Sequence, residues 1–334
     1  MGEAAVQVLP LDAGDDVPRT IVSRASAADR VYRGMLRAAG ISVLVITAMI
    51  LVFLVIQSWP ALRAEGFGLL TTAGTAPGGN DFGVAVLLPD SAIIAIIALA
   101  IAVPAGLAAA LYISEYAPDR LRRPLIAVVD VLAAIPSIVF ALWGLIFLVP
   151  RILGFEGWLS KYLGWIPIFS TQSNPTAIDL VDSRFIAGVV VSLMVLPIII
   201  SLSRQVFSQA PQGEREAAYA LGSTRWGMVR TVVLPFGRAG IIGASMLGLG
   251  RALGETIAVS FILVVNPLLT IHVLESGGNS ITAQIANNIL VADARGRSFL
   301  IAAGLILFAT TLVINTLASI VVNRSRSGAA TQAD

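Results

Sequence analysis

The chain of 334 residues contains no cysteine, a single histidine and few charged side chains. The absence of cysteine excludes disulfides, a thiolate nucleophile and cysteine-ligated iron–sulfur or zinc sites, and one histidine leaves little scope for imidazole chemistry. Charged residues make up 13% of the chain and hydrophobic residues 57%, whereas charged residues approach about a quarter of a typical soluble domain. This composition excludes a water-soluble globular protein.

Lysine is almost absent as well. A nucleotide-binding P-loop requires Gly-x-x-x-x-Gly-Lys-Ser/Thr, and the one lysine, Lys161, follows Ser160, so the chain has no such site. The net charge of +2 is too small to indicate nucleic-acid binding. No His-Glu-x-x-His motif is present, and His272 falls in a predicted loop. We therefore expect neither an enzyme nor a bound cofactor or metal.

Long apolar runs dominate the sequence instead. A bilayer core of about 30 Å requires about 20 apolar residues in a helix. Six runs meet this requirement, at 39–59, 89–113, 124–149, 185–202, 239–265 and 299–322. The sequence therefore predicts an all-α polytopic membrane protein with six transmembrane helices.

Most arginines fall on one side of this predicted bundle, in the N-terminal arm, the 204–236 loop and the segment after the last run. Basic residues near helix ends stay on the cytoplasmic side, so both termini are expected to be cytoplasmic. The predicted organisation is a poorly ordered arm at 1–38, a six-helix domain at 39–323 and a tail at 324–334.

The cytoplasmic loop at 204–236 is too long and too patterned for a simple connection. It predicts short helices at 214–221 and 224–233, separated by a turn at Gly222 and ended by Pro235. Its small and apolar side chains indicate a projection that fits a groove in another protein. The apolar residues of this projection are Tyr219, Leu221, Trp226, Met228, Val229 and Val232.

Within this loop, Glu216-Ala217-Ala218, then Gly222, then Val232-x-Leu234-Pro235 resembles the EAA motif of the permease subunits of binding-protein-dependent ABC importers. The resemblance implies the type I, MetI-like architecture and a loop that docks on an ATPase subunit. Glu216, Ala217, Ala218 and Gly222 are the expected coupling residues. The alternative is an amphipathic hairpin resting on the bilayer.

The segment LGLGRALGETIAV at 247–259 is similar to a signature of permeases of the phosphate-specific ABC importer. YISEYAP at 112–118, IPSIV at 135–139 and SITAQIAN at 280–287 also resemble that family, and the last favours the PstC-type subunit. The resemblance covers roughly 82–322. At Asp90-Ser91 the chain departs from the Gly-Thr pair of the family, which leaves the entry into the second helix open.

This resemblance implies a set of partners and a substrate. They are a second, PstA-type permease subunit, two PstB-type ATP-binding subunits, an extracytoplasmic PstS-type phosphate-binding protein, phosphate and membrane lipid. ATP hydrolysis then belongs to a partner. Two alternatives remain: a permease for another oxyanion, and an ion-coupled secondary transporter.

Arg251 and Glu255 are the expected residues of the translocation pathway. Charged groups at membrane depth cost about 2.5 to 3.5 kcal/mol each, so they rarely occur there without a role. Four residues apart on a helix, they would share one face and could pair. Arg251 presents donors that match phosphate oxygens. The alternative is a salt bridge that only locks the bundle.

Overall fold

The computed structural model describes residues 27–74, 82–171, 180–264 and 270–326, with side chains described as far as residue 320. Within these ranges the regular structure is helical, and two isolated β-bridges join Gly74 to Phe82 and Ser183 to Ser276. Residues 1–26 of the predicted arm and 327–334 of the predicted tail lie outside the described residues.

The α-helices of the described residues are numbered here in chain order. They are α1 (Ala27–Glu65), α2 (Gly68–Thr71), α3 (Leu87–Leu111), α4 (Asp119–Ala134), α5 (Ser137–Trp143), α6 (Val149–Leu163), α7 (Arg184–Ser208), α8 (Gln212–Ala220), α9 (Arg225–Met228), α10 (Leu234–Leu253), α11 (Ile257–Ile262), α12 (Ile281–Asn288) and α13 (Ala294–Arg326). Single π-helical turns extend α3 at Tyr112–Tyr116, join α5 to α6 at Gly144–Leu148 and precede α10 at Val229–Val233.

Six helical stretches of the described residues are long and apolar enough to cross a membrane, which confirms the predicted number. They are Ala27–Glu65, Leu87–Tyr116, Ser137–Leu163, Arg184–Ser208, Arg225–Leu253 and Ala294–Ile320.

The predicted third span, 124–149, is wrong in its bounds. The helix is interrupted after Ala134, because Ile135 adopts an extended conformation (φ −66°, ψ 128°) ahead of Pro136. Proline disfavours the helical conformation in the residue before it. The span-length helix therefore begins at Ser137, and α4 is a separate helix.

The chain forms two compact units, Met1–Val52 and Phe53–Asp334. In the first unit, the described residues belong to α1 and are all exposed. Helix α1 begins at Ala27, so residues 27–38, predicted to be poorly ordered, are helical. Their alanine, leucine and arginine content favours continuation of the apolar helix toward its N-terminus.

In the second unit, α7 is the most buried of the span-length helices and packs between α3 and α10. Glycines on both neighbours allow this close approach. A Cβ atom at Gly106 of α3 would lie 2.8 Å from Ile199 Cγ2, and one at Gly248 of α10 would lie 2.7 Å from Val195 Cγ1. Small residues at helix contacts bring membrane helices together in this way.

Candidate functional site

The predicted helical hairpin of the 204–236 loop is confirmed in outline. Helix α8 ends at Ala220, Gly222 turns the chain with φ +83°, and α9 follows from Arg225. The Thr224 hydroxyl accepts a hydrogen bond from the Gly227 amide at 3.1 Å and so caps α9. Glycine is favoured at residue 222 because other L-residues are strained at this positive φ.

Most of the motif residues of this hairpin are exposed to solvent. Glu216, Ala217 and Gly222 are exposed, Ala218 is half-buried, and the Glu216 carboxylate accepts a hydrogen bond from the Gln212 side chain at 3.2 Å. Leu221 is 88% exposed. Tyr219 and Trp226 of the same hairpin are exposed too, and a group of exposed apolar side chains indicates a candidate docking surface.

The predicted apolar projection is only partly correct. Tyr219, Leu221 and Trp226 are exposed, whereas Met228 and Val229 are buried. These two residues pack in a cluster that includes Phe207 of α7. The second half of the hairpin therefore anchors the loop, and the first half is presented to solvent.

An ion pair attaches the base of this loop to the end of α3. Arg215 of α8 donates to Glu115 Oε2 at 2.8 Å, and to the carbonyls of Phe207 at 2.6 Å and Ala210 at 3.2 Å. The Ser114 hydroxyl donates to Glu115 Oε1 at 2.7 Å. Glu115 thus lies at the junction of three segments.

Arg251 lies on the wall of a large open cavity. The cavity has a volume of about 930 Å³ and is bounded by α7, α10 and α13. Its other lining residues include Ile198, Gly240, Gly243, Leu247, Gly250, Asn315 and Ser319. Within the described part of the chain, the exposed Arg251 side chain has no hydrogen bond or ion pair. Its guanidinium is therefore available to an anion entering the cavity.

Glu255 does not share a helix face with Arg251, so that expectation is wrong. Helix α10 ends at Leu253, and α11 begins at Ile257. Glu255 is buried between them, where its carboxylate accepts a hydrogen bond from the Ala258 amide at 3.2 Å. The ion pairs of the described residues do not include these two side chains. Glu255 caps a short helix in this structure.

A buried ion pair, which the sequence alone did not reveal, lies at the N-terminal end of α3, away from Glu115. Asp90 Oδ1 accepts a hydrogen bond from Arg184 Nε of α7 at 2.6 Å, and both side chains are buried. Arg184 also donates to the His272 carbonyl at 3.2 Å. We call this ion pair and the backbone that it holds the Asp90–Arg184 clasp.

The clasp also holds the segment before α12. The Asn279 amide donates to Asp90 Oδ2 at 3.0 Å, and the Ile281 amide donates to the Ser91 hydroxyl at 3.0 Å. A Cβ atom at Gly278 would lie 3.0 Å from Arg184 Nε, so this glycine makes room for the ion pair. The Asp90-Ser91 departure from the family pattern was the one available signal of this arrangement.

Comparison with known proteins identifies the class. The family model of the binding-protein-dependent transport system inner membrane component matches residues 102–327. The chain belongs to this family, and it is accordingly a multi-pass permease component of the inner membrane.

Two relatives of this chain are permease proteins of phosphate transport systems. The phosphate transport system permease protein PstC 2 of Mycobacterium tuberculosis is 38% identical over 304 residues, covering 90% of this chain and 93% of the relative. The corresponding PstC protein of Pasteurella multocida is 36% identical over 297 residues, covering 88% of this chain and 91% of its own length.

A solved structure supports the fold alone. It is the crystal structure of a bacterial ABC transporter involved in the import of the acidic polysaccharide alginate. The aligned chain is 17% identical, with a TM-score of 0.52, and the match covers 88% of the present chain and 99% of the other. This similarity agrees with the predicted all-helical ABC importer permease architecture.

Proposed function

We propose that this chain is a transmembrane subunit of an ATP-driven importer and that it translocates inorganic phosphate. The observation that carries the proposal is the similarity to the PstC proteins, which extends over about nine-tenths of both chains. The substrate is taken from the names of those relatives, and the site chemistry is compatible with it. An anion needs a positively charged contact in a membrane, and Arg251 offers one.

The energy source in this proposal is a partner protein. The exposed half of the 204–236 loop, with Glu216, Ala217, Ala218 and Gly222, is the docking surface for an ATP-binding subunit. The base of α8 passes the resulting motion to α3 through the ion pair of Arg215 with Glu115. A PstA-type permease, two PstB-type ATPase subunits and a PstS-type binding protein complete the assembly.

Arg251 is the pathway residue in this proposal, and Glu255 supports the pathway by ordering the break between α10 and α11. A free guanidinium in an open cavity can receive phosphate oxygens through charge-assisted hydrogen bonds. The break after Leu253 separates the two side chains. Arg251 therefore does not have to be released from Glu255 before it binds an anion.

Replacement of Arg251 tests this role. Loss of one charge-assisted hydrogen bond weakens binding by about tenfold or more, so we expect Arg251→Gln to lower ATP-driven phosphate uptake at least that much. Arg238→Gln is the matched control, because Arg238 is exposed on the same helix and does not line the cavity. Uptake is measured in vesicles with equal amounts of assembled complex. Equal uptake by the two variants would contradict the pathway role.

The proposed orientation places both termini and the 204–236 loop in the cytoplasm. Because the chain has no cysteine, single cysteines report on sidedness directly. We expect Ser223→Cys to be labelled from the cytoplasmic side and Lys161→Cys from the outside. Ser173, in the same predicted outer loop, lies outside the described residues. Labelling of both cysteines from one side by an impermeant reagent would overturn this topology.

A further inference from the structure

A second, smaller cavity lies where the end of α3 meets α4, α7 and the base of α8. Its volume is about 170 Å³, and three arginines, Arg122, Arg204 and Arg215, line it. Ser114 and Ser208 also line it, and their hydroxyls donate to Glu115 Oε1 at 2.7 Å and to the Gln205 carbonyl at 2.8 Å. Three guanidinium groups therefore surround a space separate from the Arg251 cavity.

The positive charge at this cavity is only partly neutralised. Among the ion pairs of the described residues, one involves these arginines, and it joins Arg215 to Glu115. Arg122 donates to the main-chain carbonyls of Ile113, at 3.1 Å, and of Ser114. These carbonyls are neutral acceptors, so they leave the charge of Arg122 uncompensated.

Arg204 differs from the other two arginines. It is half-buried, and within the described residues its guanidinium has no hydrogen bond and no carboxylate partner. Ser208 is four residues further along α7, so the two side chains lie on the same face of that helix. A guanidinium has five N–H donors in a planar fork that matches phosphate oxygens. Within the same part of the chain, all five donors of Arg204 remain available.

We propose that this cavity is a binding site for a phosphate-type oxyanion, with Arg204 as its principal ligand. Arg122 supplies a second positive charge, and Arg215 faces the same space while it remains paired with Glu115. The ligand is either free inorganic phosphate or the phosphate of a lipid headgroup. Free inorganic phosphate as the ligand rests on the proposed function and on the proposed cytoplasmic position of the 204–236 loop.

The position of the cavity gives the bound anion a defined set of contacts. Arg215 belongs to α8, Arg204 to α7 and Arg122 to α4. An anion held between them joins the base of the docking loop to two other helices. The site is therefore separate from the proposed translocation pathway and lies beside the proposed route of ATPase coupling.

Direct binding tests the proposal. The full-length chain carrying Arg251→Gln, which removes the proposed pathway contact, is placed in phosphatidylcholine nanodiscs without ATP. Binding of radiolabelled inorganic phosphate is then measured by equilibrium dialysis. We expect the added substitution Arg204→Gln to raise the phosphate Kd at least about tenfold. Arg120→Gln, an exposed arginine in the first turn of α4, should leave the Kd unchanged.

A second arm identifies the source of the anion. In nanodiscs that contain phosphatidylglycerol, native mass spectrometry counts the anionic lipids retained by each variant. Arg204-dependent binding of free phosphate assigns the site to the soluble anion, and Arg204-dependent lipid retention assigns it to a headgroup. If Arg204→Gln alters neither phosphate binding nor lipid retention, the proposal is overturned.

An uptake measurement distinguishes failure of the oxyanion site from failure of the proposed transport function. ATP-driven uptake by the assembled complex that contains the parent chain, with Arg251 intact, is measured for phosphate and for sulfate. If the parent chain imports no phosphate but anion binding still depends on Arg204, the proposed function fails while the oxyanion site stands. If phosphate uptake is normal, and phosphate binding and lipid retention are both the same in Arg204→Gln and Arg120→Gln, the site fails while the proposed function stands.

Discussion

The two ion pairs near the ends of α3 differ in how much solvent reaches them. In the Asp90–Arg184 clasp the side chains are 2% and 1% exposed, whereas at the other end Glu115 is 4% exposed and Arg215 is 20% exposed. In the clasp, Asp90 also accepts from the Asn279 amide ahead of α12, and the adjacent Ser91 hydroxyl accepts from the Ile281 amide at the start of α12. The Glu115–Arg215 junction adjoins a cavity and an exposed loop.

The difference in exposure indicates different roles: the buried clasp stabilises the fold, and the partly exposed junction serves coupling. Removing one partner of a buried ion pair leaves an uncompensated charge and costs about 3 to 5 kcal/mol, whereas partly exposed pairs contribute less because water screens them. We therefore expect the clasp to fix the fold at one end of α3. At the other end, we expect substitutions at the Glu115–Arg215 junction and in the loop to change stability little and to impair transport strongly.

The largest expected effect on stability is at the clasp. Asp90→Ala leaves Arg184 buried without its carboxylate and should lower the free energy of unfolding by about 3 to 5 kcal/mol. Thermal unfolding in detergent and the amount of chain in the membrane report the loss. The double variant Asp90→Leu with Arg184→Met removes both charges and should recover much of the stability. Equal stability of Asp90→Ala and the parent chain would show that the clasp is not structural.

A smaller effect is expected at the junction. Glu115→Gln removes the carboxylate that pairs with Arg215, but the two main-chain carbonyls still accept from that guanidinium. The stability loss should be about 1 to 3 kcal/mol, while ATP-driven uptake should fall more steeply than assembly with the ATPase. The control is Glu214→Gln, an exposed acidic residue in the first turn of α8. Equal uptake per assembled complex in both variants would remove Glu115 from the coupling route.

The smallest effect on stability is expected on the exposed side of the loop. Ala217→Asp should change the unfolding free energy by less than about 0.5 kcal/mol, as is usual at exposed positions. It should nevertheless abolish association with the ATPase, because a charged side chain replaces a small one at the docking surface. Ala217→Ser keeps the side chain small and should retain uptake. Normal uptake by Ala217→Asp would refute the assignment of the loop.

The number of spans followed from composition, because an uninterrupted run of about 20 apolar residues matches the thickness of a bilayer and is rare in soluble proteins. The break after Gly254 did not follow, because apolar content continues past it while the helix does not. The break at Ile135 has a local signal in Pro136, although the apolar run continues through both residues. The turn of the hairpin was predictable, since Gly222 is a local signal. The predicted helix end at Pro235 was wrong, because the helical stretch Arg225–Leu253 continues through this residue in the first turn of α10.

The contacts between distant segments were not predictable from one sequence. Asp90 binds residues 94 and 189 positions away, and Arg215 binds a residue 100 positions away. Such pairs are produced by helix packing, and periodicity carries no information about them. Arg251 and Glu255 illustrate the reverse case, because their spacing predicted a pairing that the end of α10 prevents.

The central claim is ATP-driven phosphate import by a complex that contains this chain. The most direct measurement is uptake of radiolabelled phosphate by proteoliposomes that contain the chain with its co-purified permease, ATPase and binding-protein partners. We expect phosphate accumulation that requires ATP and is lost in the Ala217→Asp variant, with sulfate failing to compete. Accumulation that proceeds without ATP, or a complex that imports sulfate and not phosphate, would contradict the account.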